Sequence, residues 1–150
     1  MMTDLIQIIT GGLGAIGFAL IAHVHPKHLI MATLGGVMSW ALFLPIYHTL
    51  DGVFIPSLVS AMAVYAWSEL MARVEKAPVT IFLVPGILPL LPGSFLYYTM
   101  QALMNDDMSL FRHYGVTTIS VTLGIACGVV AASIVVSYVL KTMMHLKRKT

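Results

Sequence analysis

The sequence predicts an all-α integral membrane bundle of five transmembrane helices, the fourth of them broken by proline and glycine. Three observations predict it. Of the 150 residues, 59% are hydrophobic and only 9% are charged, whereas an average soluble domain carries ~25% charged residues. The apolar residues fall in five runs, each near or above the ~20 residues that a bilayer core ~30 Å thick requires. Short polar breaks separate the runs: His25-Pro26-Lys27-His28, Thr49-Leu50-Asp51-Gly52, Arg73-Val74-Glu75-Lys76 and Asn105-Asp106-Asp107. With 8 Lys+Arg against 6 Asp+Glu, the chain cannot coat a globular surface with charge. This argues against a disordered chain, a nucleic-acid-binding protein and an ordinary cytosolic enzyme.

The spans read as 5–23, 29–47, 53–71, 78–104 and 115–140, one transmembrane domain over residues 1–150. The first follows Met1-Met2-Thr3-Asp4, which lacks Lys and Arg, so it reads as a retained helix rather than a cleaved signal peptide. Within it, Gly12-Leu13-Gly14-Ala15-Ile16-Gly17 matches a dinucleotide-binding fingerprint in letters only. No strand precedes it and no acidic residue follows ~20 positions on; small residues that let helices approach closely explain it better. His23, His25 and His28 gather where the first span ends and the second begins. Three imidazoles suit zinc or a response to pH near neutrality, but a polar interfacial turn around Pro26 is simpler, and no metal site is assigned. The third span holds Glu69, the carboxylate nearest a span interior. Such a group suits proton coupling or gating, while Arg73, four residues on, offers a helix ion pair.

The fourth span contains Pro78, Pro85, Pro89 and Pro92, with Gly86 and Gly93 each following a proline. An interior proline deletes a backbone donor and clashes with the preceding turn. In hydrocarbon the freed groups need protein or a water-filled cavity to receive them, so the break is either a packed kink or the lining of a site. At ~1.5 Å per residue it straddles the membrane midplane. A helix resuming at Ser94 would aim the free amides of Ser94, Phe95 and Leu96 there, an arrangement suited to a carboxylate. Thr80, Tyr97, Tyr98, Thr99 and Gln101 can add hydrogen bonds.

In the fifth span Ser120, Gly124, Gly128 and Ala132 recur at four-residue spacing and mark a helix–helix face, within the chain or against a partner. Cys127 reads as a small packing residue. Tyr47, Trp67, Tyr114 and Tyr138 lie near span ends, as aromatic belts do. With the N-terminus outside and five crossings, Lys27, Arg73, Lys76, Lys141, Lys147, Arg148 and Lys149 fall on the cytoplasmic side and Arg112 alone outside. A re-entrant fourth segment would divide the basic residues equally, so the Lys/Arg bias favours full crossing and a cytoplasmic C-terminus.

The string Gly86-Ile87-Leu88-Pro89-Leu90-Leu91-Pro92-Gly93-Ser94, followed by Tyr97, resembles the proline-rich signature of the threonine/serine exporter family, and more narrowly its small five-helix subunit. Length, span count, the Asn105-Asp106-Asp107 turn and the basic tail agree with that resemblance. It implies an exporter of threonine, serine or related small carboxylates in the cell (plasma or inner) membrane. It also implies a larger homologous membrane partner with a soluble segment. Five spans reverse sidedness, so such a partner can pair as an inverted repeat around a midplane site. Substrate contacts are expected at Pro85, Gly86, Pro89, Pro92, Gly93, Ser94 and Tyr97, with Glu69 in coupling or gating. The alternative is a structural subunit that braces a partner without touching substrate. No hydrolytic constellation or phosphate-binding loop is present, so no enzyme activity, catalytic residue or cofactor is expected, and the driving force is an ion gradient or the substrate's own.

Overall fold

The computed structural model describes the backbone of residues 2–147 and the side chains of residues 4–139. The described residues form six α-helices: α1 Met2–Ile21, α2 Pro26–Thr49, α3 Phe54–Glu75, α4 Thr80–Ile87, α5 Gly93–Met104 and α6 Met108–Lys147. A 3₁₀ turn, Leu88–Leu90, joins α4 to α5. Four helices are long and apolar enough to cross a membrane. The pair Thr80–Leu90 and Gly93–Met104, bent by 48°, makes a fifth span if taken as one broken crossing. The side chains of Lys141 and Lys147, and Arg148 and Lys149 entirely, lie outside the described residues.

Three helices end alike. His23, Lys76 and Asp106 adopt left-handed backbone, φ 54°, 53° and 54°. Each is followed by an N–H that reaches back to a carbonyl five residues earlier: Val24 to Ala19, Ala77 to Ala72 and Asp107 to Ala102. This is the Schellman closure, made here without the glycine that usually supplies positive φ. The starts of α2 and α6 are capped by side chains, whereas α3, α4 and α5 have no side-chain cap. His25 Nδ1 accepts from Lys27 N–H at 3.3 Å, with Pro26 at the first helical position of α2. Asp107 Oδ1 accepts from the N–H groups of Ser109 and Leu110 at 3.1 and 3.0 Å. That cap starts α6 at Met108, well before the expected 115. Arg112, His113 and Tyr114 therefore stand on helix, because a cap is set by hydrogen bonding and leaves no trace in hydropathy.

α2 lies between α1 and α3 and receives α4; α3 packs along α6, and α5 packs almost wholly on α6. Small residues make these contacts close. Cβ atoms added at Gly35 and Gly36 would lie 3.4 Å from Gly86 Cα and Pro85 O respectively, and one on Gly86 would meet Val64 Cγ1 at 2.7 Å. Gly124 faces Phe54 O and Ser57, while Gly128 faces Leu58 O and Ala61. The stripe of the fifth span is thus largely spent inside the chain, on α3. Cys127 departs from expectation: it is exposed, because the stripe at 124, 128 and 132 takes the buried face and turns 127 outward. Trp67 departs too. Its indole N–H donates to Met31 O at 3.1 Å, tying α3 to α2 rather than standing in an aromatic belt.

Pairs of charged or titratable side chains fix which ends meet. Lys27 Nζ lies 3.2 Å from Glu75 Oε2, joining the start of α2 to the end of α3. His48 Nε2 lies 3.5 Å from Asp4 Oδ1, joining the end of α2 to the start of α1. Each pair joins residues that the charge bias assigns to one membrane side.

Candidate functional site at the broken span

The proline string sets up a local hydrogen-bond problem, and its solution shapes the site. In an unbroken helix the Pro89 carbonyl would receive the N–H of Gly93. Gly93 N–H instead turns back to Leu91 O at 2.8 Å, and the first bond carrying α5 forward is Leu96 N–H to Pro92 O at 2.9 Å. Pro89 O is thereby freed, and Trp40 of α2 supplies its indole N–H at 3.0 Å. The N–H groups of Ser94 and Phe95 have no hydrogen-bond acceptor among the described residues. Helix resumes at Gly93, one residue before the expected Ser94.

A cavity of about 220 Å³ opens at this point. Its polar lining comes from Gln7 of α1, Trp40 and Tyr47 of α2, and Ser94 of α5; Phe43, Pro89 and Pro92 add apolar wall. A second hollow, about 300 Å³, shares Gln7, Trp40 and Pro89 and adds Thr10, Gly11 and Gly14. Two unfilled N–H groups at a helix N-terminus favour an anion, a carboxylate above all. The Gln7 amide offers both donor and acceptor, and the aromatic walls offer apolar surface. The volume suits a small molecule rather than a drug-sized one.

The expected residues divide. Pro89, Pro92 and Ser94 line the cavity. Gly93, between them in sequence, is exposed and does not line it, with nothing within 4 Å of where a Cβ would stand. Pro85 and Gly86 are buried against α2 and α3 and line none of the cavities. Tyr97 is exposed, its ring 5.6 Å from that of Tyr98. Thr99 is buried, lines neither cavity and gives its hydroxyl proton to Phe95 O at 2.7 Å. Glu69 lies apart from the cavity and accepts a hydrogen bond from Arg73 Nη2. No cluster of three or more His, Cys, Asp or Glu fit to hold a metal occurs among the described residues. His25 caps α2 and His28 turns to Glu75.

Gln7 and Trp40 were absent from the sequence expectation, yet each had a signal. Gln7 is a polar residue in an otherwise apolar stretch of the first span. Trp40 lies mid-span, where a tryptophan must find an acceptor for its N–H, rather than at the interface.

The sequence profile described as "Threonine/Serine exporter, ThrE" matches residues 7–135. A "Threonine/serine exporter" of Corynebacterium glutamicum is 29% identical over 137 residues, which cover 91% of this chain and 27% of that protein. The chain thus spans about a quarter of the length of the curated relative it matches. No solved structure is significantly similar. Several apolar helices and this likeness make it a multi-pass protein of the cell membrane. From residue 7 to 135, including the whole broken span, the chain belongs to the threonine/serine exporter family.

Proposed function

We propose that the chain is a subunit of a secondary exporter for threonine, serine or a related small carboxylate. The observation that carries this reading is the cavity at the break, with the free Ser94 and Phe95 amides beside it, in a member of this family. The substrate carboxylate binds the N-terminus of α5, and Gln7 and the Ser94 hydroxyl receive the remaining polar groups. Pro89 and Pro92 shape the wall, while Gly93, which leaves open space next to Ser94, and Tyr97 take part from outside the cavity. Pro85 and Gly86 act by seating α4 on α2 and α3. Glu69 serves coupling or gating when released from Arg73. The fourth segment crosses fully, N-terminus outside and C-terminus cytoplasmic. A larger homologous subunit supplies the inverted repeat that alternating access needs, consistent with the share of the relative's length that this chain spans.

The test is efflux from cells loaded with a threonine-containing dipeptide, with and without this chain and its larger partner. Faster efflux with both is expected, and equal efflux would sink the reading. Gly93→Phe makes a sharper test: the open space at Gly93 lets the variant fold, while a bulky ring stands between the cavity-lining Pro92 and Ser94. Wild-type efflux by that variant, normally inserted, refutes the site.

A second reading, a bracing subunit without substrate contact, rests on Gly14 and Gly17, whose Cβ positions meet nothing within 4 Å and so offer a close-approach face. A photoreactive substrate analogue separates the two: crosslinking at Ser94 favours transport, and no crosslink favours bracing.

A further inference from the structure

Away from the cavity, an ionisable cluster is built into the end of the bundle where α2 starts and α3 finishes. His28 Nδ1 lies 3.3 Å from Glu75 Oε2, and Lys27 Nζ reaches the same oxygen at 3.2 Å. The side chains of His28 and Glu75 are 15% and 17% exposed, that of Lys27 65%. Nδ1 and Oε2 are themselves sealed from solvent, and neither completes a hydrogen bond of good geometry.

The groups around the imidazole come from three helices. α2 supplies Lys27, and its capping residue His25 holds its ring 6.2 Å away. α3 supplies Glu75. α4, whose sequence is TIFLVPGI, supplies no titratable group; its fully buried Phe82 meets the His28 ring edge-on at 5.7 Å. A sealed carboxylate facing an imidazole gains most when that ring carries a second proton, because the contact becomes a charge-assisted hydrogen bond. When the ring is neutral, the solvent-reaching Lys27 keeps Glu75 from standing as a lone buried charge, the state that is most costly. The cluster can therefore take up and release a proton without passing through an unpaired ion.

We propose that His28 and Glu75 form a proton-binding site that latches the start of α4 onto the ends of α2 and α3. One proton joins the imidazole, and no other bond forms or breaks. The charge is felt in the broken span through Phe82, whose N–H and that of Leu83 both donate to Val79 O, at 3.1 and 2.9 Å. The latch is tight with the proton bound and looser without it. It needs only this geometry and goes beyond the transport reading, on which it does not rest.

The test is hydrogen exchange on the full chain in lipid nanodiscs, corrected for intrinsic rates, at about pH 5.5 and about pH 8, a range over which histidine changes charge. Protection of the Phe82 and Leu83 amides should be about tenfold greater at the lower pH, the weight of one charge-assisted hydrogen bond. His28→Gln and Glu75→Gln, which preserve shape, should each remove that difference. Lys27→Gln, which leaves the imidazole in place, should retain it. A flat response in the wild type, an unchanged one in His28→Gln, or its loss in Lys27→Gln overturns the proposal. Efflux is not the readout, so an absence of transport bears on the exporter reading alone.

Discussion

Replacing Trp40 by phenylalanine tests the hydrogen-bond logic of the break. The change keeps an aromatic ring against Gly11 but removes the N–H that Pro89 O accepts at 3.0 Å. A half-buried carbonyl that loses its donor loses about 1–3 kcal/mol. Neighbouring Gly93 cannot substitute, because its N–H is already given to Leu91 O. The smaller ring also enlarges the adjacent cavities, adding a packing loss in the same direction. Reversible unfolding in mixed micelles, followed by the remaining Trp67, should show a loss of at least about 1 kcal/mol. Stability within about 0.3 kcal/mol of the wild type would refute the reasoning, because it would mean that water or another donor satisfies Pro89 without difficulty.

Three further outcomes follow from named contacts. Gly128→Ala places a methyl group on the Leu58 carbonyl and should loosen α3 from α6 by about 1–3 kcal/mol, whereas Gly14→Ala, facing open space, should not destabilise; urea unfolding of the two variants checks the contrast. Gly86→Ala drives a Cβ to 2.7 Å from Val64 Cγ1, so Val64→Ala should recover part of its loss in a double-mutant cycle. Lys76→Gly relieves a left-handed non-glycine residue, φ 53°, and should raise stability by up to about 1 kcal/mol, read as a higher thermal midpoint.

Much of the fold was legible because a bilayer leaves few choices. Apolar runs long enough to cross it must be helices; the polar breaks at 49–52 and 105–107 fall on the observed turns, while those at 25–28 and 73–76 sit a few residues off, since α2 already begins at Pro26 and α3 runs to Glu75. The break in the fourth span was legible for the same reason, since a proline interrupts the ladder, but its place was not: Pro85 is accommodated inside α4 and the chain breaks only after Leu90, at Pro92. What the sequence did not disclose depends on rotation about helix axes and on long-range partners. Cys127 and Gly128 are neighbours in the chain, yet one faces outward and the other is pressed on Leu58. Trp40 and Pro89 are far apart in sequence, and only the packing of α2 on the break reveals why an indole is needed there. The histidine cluster resolved into separate duties for the same reason. His25 serves its own helix, while His28 answers a carboxylate on another.

The close approach of α2 to α4 and of α3 to α6 has a mechanical consequence. Where glycine meets backbone or a short side chain, little can swing into another rotamer to absorb a displacement, and stiffness there is that of the main chain itself. The walls at the break are of another kind: they are built from Trp40, Phe43, Tyr47 and Gln7, side chains that have χ angles to turn about. Adaptability is therefore concentrated beside α5, and the contact of α4 with α2 is the rigid backing to it.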